Sequence, residues 1–400
     1  MTVLDAPAAD AGLDSPAADA VLAAAIRLRP SIAAAAAQIE RERRVPEEII
    51  KAIQDAGIFR MLLPREFGGD QVELPVAVAV TTEIARADAS AGWQVVVGAG
   101  NQYFLGKLGE TSMRAAMAVG HDVLVRGALA PKGTARPVPG GYRLTGRWPL
   151  ASGSYEPAWV PAGFLISGER GPRKLPDGRP DLRLAVLPPD QVTWFDTWDA
   201  VGLRGSQSQD FAVDDVFVAE EWTGSFFADS SIDAPWFRLP PMPTAPLHAA
   251  VVVGALKGMV DDLGSLAETK KPAFGPGQTL AEDPAFTNRF GERAADVDML
   301  DVANHHVATT FMRMARAGQA PDPMEYQRLH AVNARIHHAA TEIANDLIGL
   351  AGSTALYMSN DMQRRWRDIR CAAQHVSASL GNYTSLGAFL SGASAQDARH

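Results

Sequence analysis

The chain has a single cysteine, Cys371, among 400 residues. One thiol can neither close an internal disulfide nor assemble a thiolate zinc site, and this scarcity fits a reducing cytoplasm. An excess of positive charge is also missing. The 37 Lys and Arg stand against 46 Asp and Glu, for a formal charge of -9, which argues against the concentrated basic surface that a nucleic-acid partner requires. Long apolar runs are lacking too. The longest, near residues 249–256, stops at Lys257 and is far too short to cross a bilayer, so no membrane partner is expected. The start, MTVLDAPAADAGLDSPAADA, has no basic segment followed by an apolar one and is not a secretory signal. Residues 1–16 read as a disordered Ala/Asp/Pro leader.

Several catalytic signatures are absent. No glycine-rich dinucleotide fingerprint follows a strand and opens a helix; GPGQTL at Gly275 lacks the third glycine and the strand. There is no P-loop, no HExxH and no GxSxG elbow. The pairs His305-His306 and His337-His338 cannot chelate one ion, because adjacent residues on a helix point in different directions. His330 and His337 share a face, but two turns apart is poor ligand spacing. No metal is expected, and a small organic ligand is the simplest expectation.

What is present is an ordinary globular composition, 47% hydrophobic and 21% charged, at a length that calls for two or three packed subdomains. Residues 17–121 read as helical: PEEIIKAIQDAGIF has apolar spacings of three and four, and PVAVAVTTEIARADASAGW reads as one helix ending near Ser90–Gly92. From 122 to 235 the texture changes to short apolar runs separated by Gly, Pro and Asp, with Gly140-Gly141 as a hairpin turn. This predicts a small antiparallel β domain. Residues 236–400 return to long helical patterns, broken at KKPAFGPGQ and near AGST.

Five ordered stretches resemble the acyl-CoA dehydrogenase superfamily. They are VPEEIIKAIQDAGIFRMLLPREFGG with EIARADASAGW, then GYRLTGRWPLASG, VGLRGSQSQDFAVDDVFVAEE, TKKPAFG, and LIGLAGSTALY leading into RRWRDIRCAAQHV. The resemblance implies an α+β fold: an N-terminal helical domain, a central antiparallel β domain and a C-terminal four-helix bundle. Dehydrogenases of this family usually carry a glutamate after the arginine-aspartate segment to remove the proton alpha to the thioester. Here RDIRCAAQHVSASLG has no carboxylate after Asp368 and carries His375 instead. That departure is similar to the family's flavin-dependent monooxygenases. These use reduced FMN or FAD, here with FMN slightly favoured, delivered by a separate NAD(P)H-flavin reductase. They oxygenate small aromatic, polyketide or amino-sugar substrates with O2 through a flavin hydroperoxide.

The resemblance assigns expected roles. His375 is the catalytic candidate, an imidazole able to accept a substrate proton or to hydrogen-bond the reacting oxygen. Ser152 is expected to bond the flavin N5 region, with Gly153 beside it and Trp148 packing near the ring; otherwise Trp148 is a β-domain core aromatic and Ser152 a turn residue. Trp198 resembles a residue that stacks beside the flavin, while Arg204 and Ser206 hold the flavin or its loop. Lys271, with Phe274, stands where dehydrogenases often have an arginine reaching FAD pyrophosphate; lysine keeps the charge but loses the bidentate fork. Gly352, Ser353 and Thr354 form a small-residue loop for the cofactor's phosphate tail. Asn101 and Tyr103 lie where relatives place a histidine and carry no assigned role. Cys371 reads as core filler. The family usually forms homotetramers. The competing readings are an acyl-CoA dehydrogenase or oxidase with another base, and a catalytically silent flavin-binding scaffold.

Overall fold

The computed structural model describes residues 15–392 apart from 121–122, 169–170, 177, 231, 240–242, 273–276 and 319–321. Most of the proposed leader lies outside the described residues. Its last residues do not fit that reading: the Ser15 hydroxyl accepts the Ala18 N–H and Pro16 opens the first helix, a hydroxyl cap followed by a first-turn proline.

Helices α1 (Pro16–Glu42), α2 (Glu47–Asp55), α3 (Leu74–Ala87), α4 (Ala89–Gly100) and α5 (Glu110–Met117) form the first layer. By length and composition α1 could cross a bilayer. Its Ala18, Val21, Ala25, Ile32, Ala36 and Ile39 instead make one buried stripe, and the helix packs on α3. The segment read as one helix up to Gly92 is two. Asp88 turns extended at φ -152° and its carboxylate accepts the Ala91 N–H at 2.9 Å. A short acidic side chain satisfies a free helix end better than it fits a helix interior, so α3 stops there and α4 runs on to Gly100.

The sheet holds β1 (Ala128–Val138), β2 (Gly141–Ala151), β3 (Val160–Gly168), β4 (Gly171–Pro172), β5 (Leu182–Leu187), β6 (Thr193–Phe195), β7 (Gln209–Ala219) and β8 (Thr223–Ser225). Its order is β6-β7-β2-β1-β3-β5-β8, with β4 beside β3. Gly140 at φ 79° makes the expected β1–β2 hairpin. The expectation of a purely antiparallel sheet is corrected at one pair: β1 and β3 run parallel. β7 already occupies the outer edge of β2. The chain leaving β2 therefore crosses to the free edge of β1, and having turned back once it runs in the same direction as β1.

The last layer comprises α6 (Pro235–Arg238), α7 (Ala245–Thr269), α8 (Pro284–Ala317), α9 (Pro323–Ala351), α10 (Asp361–Ala372) and α11 (Gly381–Leu390). Helices α7 to α10 pack on one another as a bundle, and α7 also contacts α3 and α4. Surrounded on all sides, α7 is buried without interruption from Ala245 to Leu256, which explains the apolar run. The observed architecture is the expected α+β arrangement of helices, sheet and helical bundle.

Candidate functional site

The three layers meet at a row of serines. Ser152 lies just past β2, and Ser206 and Ser208 just before β7, all buried. Ser206 Oγ is 2.7 Å from Ser208 Oγ, which is 2.6 Å from Ser152 Oγ. Three hydroxyls joined by two hydrogen bonds leave one hydroxyl hydrogen over. When the row runs from Ser206 through Ser208 to Ser152, that hydrogen is Ser152's. The Trp93 indole N–H, from α4, donates to Ser152 Oγ at 3.0 Å and fixes its acceptor side. Gly153, at φ 153°, donates its N–H to the Ser206 carbonyl; a Cβ there would come within 2.9 Å of the Arg126 side chain.

Beyond Trp93 are two histidines. The Trp93 ring meets His248 edge-on at 5.0 Å and His375 edge-on at 5.7 Å. The two imidazoles stack on each other at 3.7 Å and 12°. His375 is not on α10, the helix that carries Asp368. That helix ends at Ala372, its last turn tightens, and His375 turns extended and caps the short turn Val376–Ala378. Nδ1 of His375 accepts the Ser377 N–H at 3.3 Å and lies 2.9 Å from Ser377 Oγ. A backbone N–H can only donate, so the neutral ring carries its proton on Nε2. Burial, then the nearby His248 and His337, hold His375 well below the usual imidazole range. It is therefore neutral at physiological pH and a hydrogen-bond donor at Nε2. Its outer side lines a cleft of about 630 Å³ with His338, Glu342, Gln374 and Leu380. Glu342, the one carboxylate among those lining residues, is mostly exposed and is paired with Arg335 at 2.9 Å.

The LRGS turn is held from both sides. Leu203 and Gln207, flanking it, both adopt left-handed φ near 50°, a conformation non-glycine residues keep only when their surroundings impose it. The Leu203 N–H donates to the buried Asp368 carboxylate at 2.6 Å. Gln94 of α4 accepts the Ser154 N–H and donates to the Gly205 and Ser206 carbonyls. Arg204 uses its guanidinium on the Glu40 carbonyl, the Asp199 carboxylate and the Ala200 carbonyl, so it ties the loop to α1. Trp198 is half-buried and bonds the Leu203 carbonyl at 3.0 Å. Both residues brace the turn that carries Ser206.

Other expected residues lie apart. Trp148 is a correction: it is fully buried in the sheet core, stacked on Phe211 at 4.9 Å, with its indole N–H on the Gly163 carbonyl at 2.7 Å. β2 turns that side chain inward, so no face is left open to a cofactor. Lys271 is exposed, and its neighbour Lys270 reaches the Ala351 carbonyl beside Gly352. Phe274 lies outside the described residues. Gly352 and Ser353 are exposed and Thr354 is half-buried in a short turn after α9. Tyr103 is a core residue bonded to the Leu239 carbonyl at 2.6 Å; Asn101 is half-buried at the end of α4. Among the described residues no group of three metal-binding side chains occurs. Sequence reasoning missed His248 altogether. Its only signal was a lone polar ring at the edge of an apolar run that a leucine would continue.

The chain matches the models for the acyl-CoA dehydrogenase N-terminal domain over residues 23–118 and C-terminal domain over residues 246–380. It is 30% identical over 380 residues to the oxygenase component of an FADH(2)-dependent resorcinol hydroxylase from a Rhizobium species, covering 89% of each chain. It is 29% identical to an indole-3-acetate monooxygenase of Pseudomonas putida, again over 89% of each. A crystal structure of 3-HSA hydroxylase from a Rhodococcus species superposes with a TM-score of 0.84 at 26% identity, covering 93% of this chain and 97% of that one. With both terminal domains matched and a relative of this identity spanning most of both chains, the protein belongs to the acyl-CoA dehydrogenase family.

Proposed function

We propose that the chain is the oxygenase component of a two-component flavin-dependent monooxygenase. In this reading it takes reduced FMN or FAD from a separate reductase and uses O2 to oxygenate a small aromatic substrate. The observation that carries the reading is the meeting of the Ser152 hydroxyl, the Trp93 indole and a neutral His375, in place of a carboxylate base. Similarity over 89% of each chain to a resorcinol hydroxylase and an indole-3-acetate monooxygenase supports it.

The residues present fit a flavin. The serine row holds one hydroxyl hydrogen that its own two bonds do not use, which suits an acceptor such as a carbonyl oxygen at the flavin ring edge. For the cofactor's tail, the turn after α9 offers Gly352, Ser353 and Thr354. Lys270, bonded to the Ala351 carbonyl, keeps Lys271 near that turn as a candidate for a phosphate. Reduced flavin, when bound, supplies the electrons that activate oxygen. The chain's own groups then have separate tasks. Ser152 donates at the ring edge, Trp93 and the stacked imidazoles close the inner wall against water, and His375 holds a proton at Nε2 for the reacting oxygen. Among the described residues that line its cleft, none is a carboxylate of the kind a dehydrogenase needs, since Glu342 turns to solvent and to Arg335. We further propose a cytoplasmic homotetramer, supported by the exposed apolar side chains Leu356, Tyr357, Met358, Val376, Leu380 and Leu390 in the last part of the chain.

The test mixes the protein with photoreduced FMN or FAD, labelled O2 and a panel that includes resorcinol and indole-3-acetate. A product carrying one labelled oxygen atom is expected, and His375→Ala should lower its yield by about 100-fold. Bleaching of bound oxidised FAD by an acyl-CoA, with no oxygenated product, would overturn the reading.

A further inference from the structure

His248 has an ordinary explanation as a satisfied core histidine. It is buried, and its Nδ1 lies 2.9 Å from the Thr244 carbonyl one helical turn back. Three observations go beyond that. Its neighbours Leu247 and Ala249–Val253 are wholly buried and apolar, so a leucine or phenylalanine would fill the place without the cost of burying a polar ring. The ring touches two residues of the site, Trp93 by its edge and His375 by its face. And its tautomer is opposite to that of His375. The Thr244 carbonyl can only accept, so His248 keeps its proton on Nδ1 and leaves Nε2 bare.

We propose that His248 is a positioning residue for His375: stacked on it, with its own tautomer locked to Thr244, it holds the His375 ring in one plane and in the Nε2–H form. The inference rests on the oxygenase reading for its consequence in turnover, but not for the geometry. His375 stands past the end of α10, on a turn, where its plane is set by the Ser377 contact on one edge and by packing on its faces. Without the stack, rotation about the Cα–Cβ and Cβ–Cγ bonds would exchange a donor aimed at the reacting oxygen for one aimed elsewhere.

Burial keeps both rings of the stack uncharged. Two imidazoles 3.7 Å apart cannot both be protonated without strong repulsion. Burial lowers His248 to about 3, with His337 adding to the effect. The groups facing His375 are few. From α7 there is His248 and from α9 His337, while His338 and Glu342 of α9 line the outer cleft. Trp93 of α4 and Ser377 of the following turn carry no charge. Among these, the nearest titratable neighbour is His248, and it opposes protonation.

The test uses the full-length protein. In the flavin-free form with nitrogen-15-labelled histidine, NMR should find the His375 proton on Nε2 and no titration until far below the ordinary imidazole range near about 6.5. In His248→Leu, which removes the ring, the two tautomers of His375 should mix, while burial still keeps it below the ordinary imidazole range. With reduced flavin, O2 and resorcinol, the variant should lose between about tenfold and 100-fold in coupled kcat, with KM little changed. His248→Phe keeps a flat ring without the charge. It should retain most of the turnover and the single Nε2–H form of His375, and it covers the case in which the leucine variant fails to fold. The proposal is overturned if the leucine variant keeps the single His375 tautomer of the parent, or if the phenylalanine variant loses it. If the parent makes no oxygenated product but the NMR shifts occur, the functional reading fails and the positioning role stands.

Discussion

Single residues divide sharply by whether a motif or a direction had to be known. Ser152 and His375 stand in stretches that resemble the family's flavin-site segments, and the structure brings them to either side of Trp93. Trp148 stands in the same stretch as Ser152, yet it faces the opposite way. Successive residues of a strand alternate sides, and a bulge in the β2–β7 register between Trp148 and Ala151 resets that alternation just before the serine. The motif could not reveal that reset. Trp148 also depends on two small neighbours: a Cβ on Gly133 or Gly146 would come within 2.3 Å or 2.7 Å of its ring. Trp148→Ala should therefore cost about 3–5 kcal/mol of unfolding free energy in a denaturant titration, through the cavity and the orphaned Gly163 carbonyl. Flavin affinity measured on the folded fraction should be unchanged. His248 was illegible because nothing in an apolar helix marks which neighbour a lone ring will meet.

At the level of elements, helix and strand periodicity located most of the segments, while their ends and pairing depended on side-chain chemistry that periodicity does not carry. The capping carboxylate of Asp88 divides α3 from α4, and the occupied edge of β2 sends β3 parallel to β1. The same is true of the join between α10 and the LRGS turn. Asp368 is wholly buried and accepts the Leu203 N–H. Burial and then the neighbouring Asp88 push its carboxyl up to about 7, against the Arg364 charge and the Leu203 hydrogen bond that favour ionisation. Between about pH 4 and 7 the folded chain thus holds a proton there that the unfolded chain has released, so this group's contribution falls as pH rises through that window. Asp368→Asn keeps an acceptor for Leu203 and removes the titration. Its melting temperature relative to the parent should rise steadily from about pH 4 to pH 7, as scanning calorimetry across that range can check. A constant difference would show that Asp368 does not titrate in that window.

For the molecule as a whole, composition argued against nucleic acid as a partner and five ordered stretches pointed to the layered fold, but neither describes a surface. The apolar residues Leu356, Tyr357 and Met358, after α9, and Val376 and Leu380, after α10, are all more than 60% exposed. Exposed large apolar side chains concentrated in this way are expected at a contact between subunits. Light scattering on the purified protein should give about four times the chain mass of 42.6 kDa. Replacing Leu356 and Leu380 together by glutamate should yield smaller species without loss of helix content. A monomeric parent would remove the case for the tetramer.

The junction of the three layers also has a consequence for synthesis. Trp93 leaves the ribosome first, Ser152 and Ser208 after it, then His248, and His375 last of the group. Contacts between residues so far apart in sequence form late in folding. An N-terminal fragment, however well its helices and sheet fold, lacks the imidazole that would manage an oxygen species, so a truncated product should bind ligands poorly and perform no controlled chemistry. The order of the chain acts as a check: reactivity becomes available only to a molecule whose synthesis has passed His375.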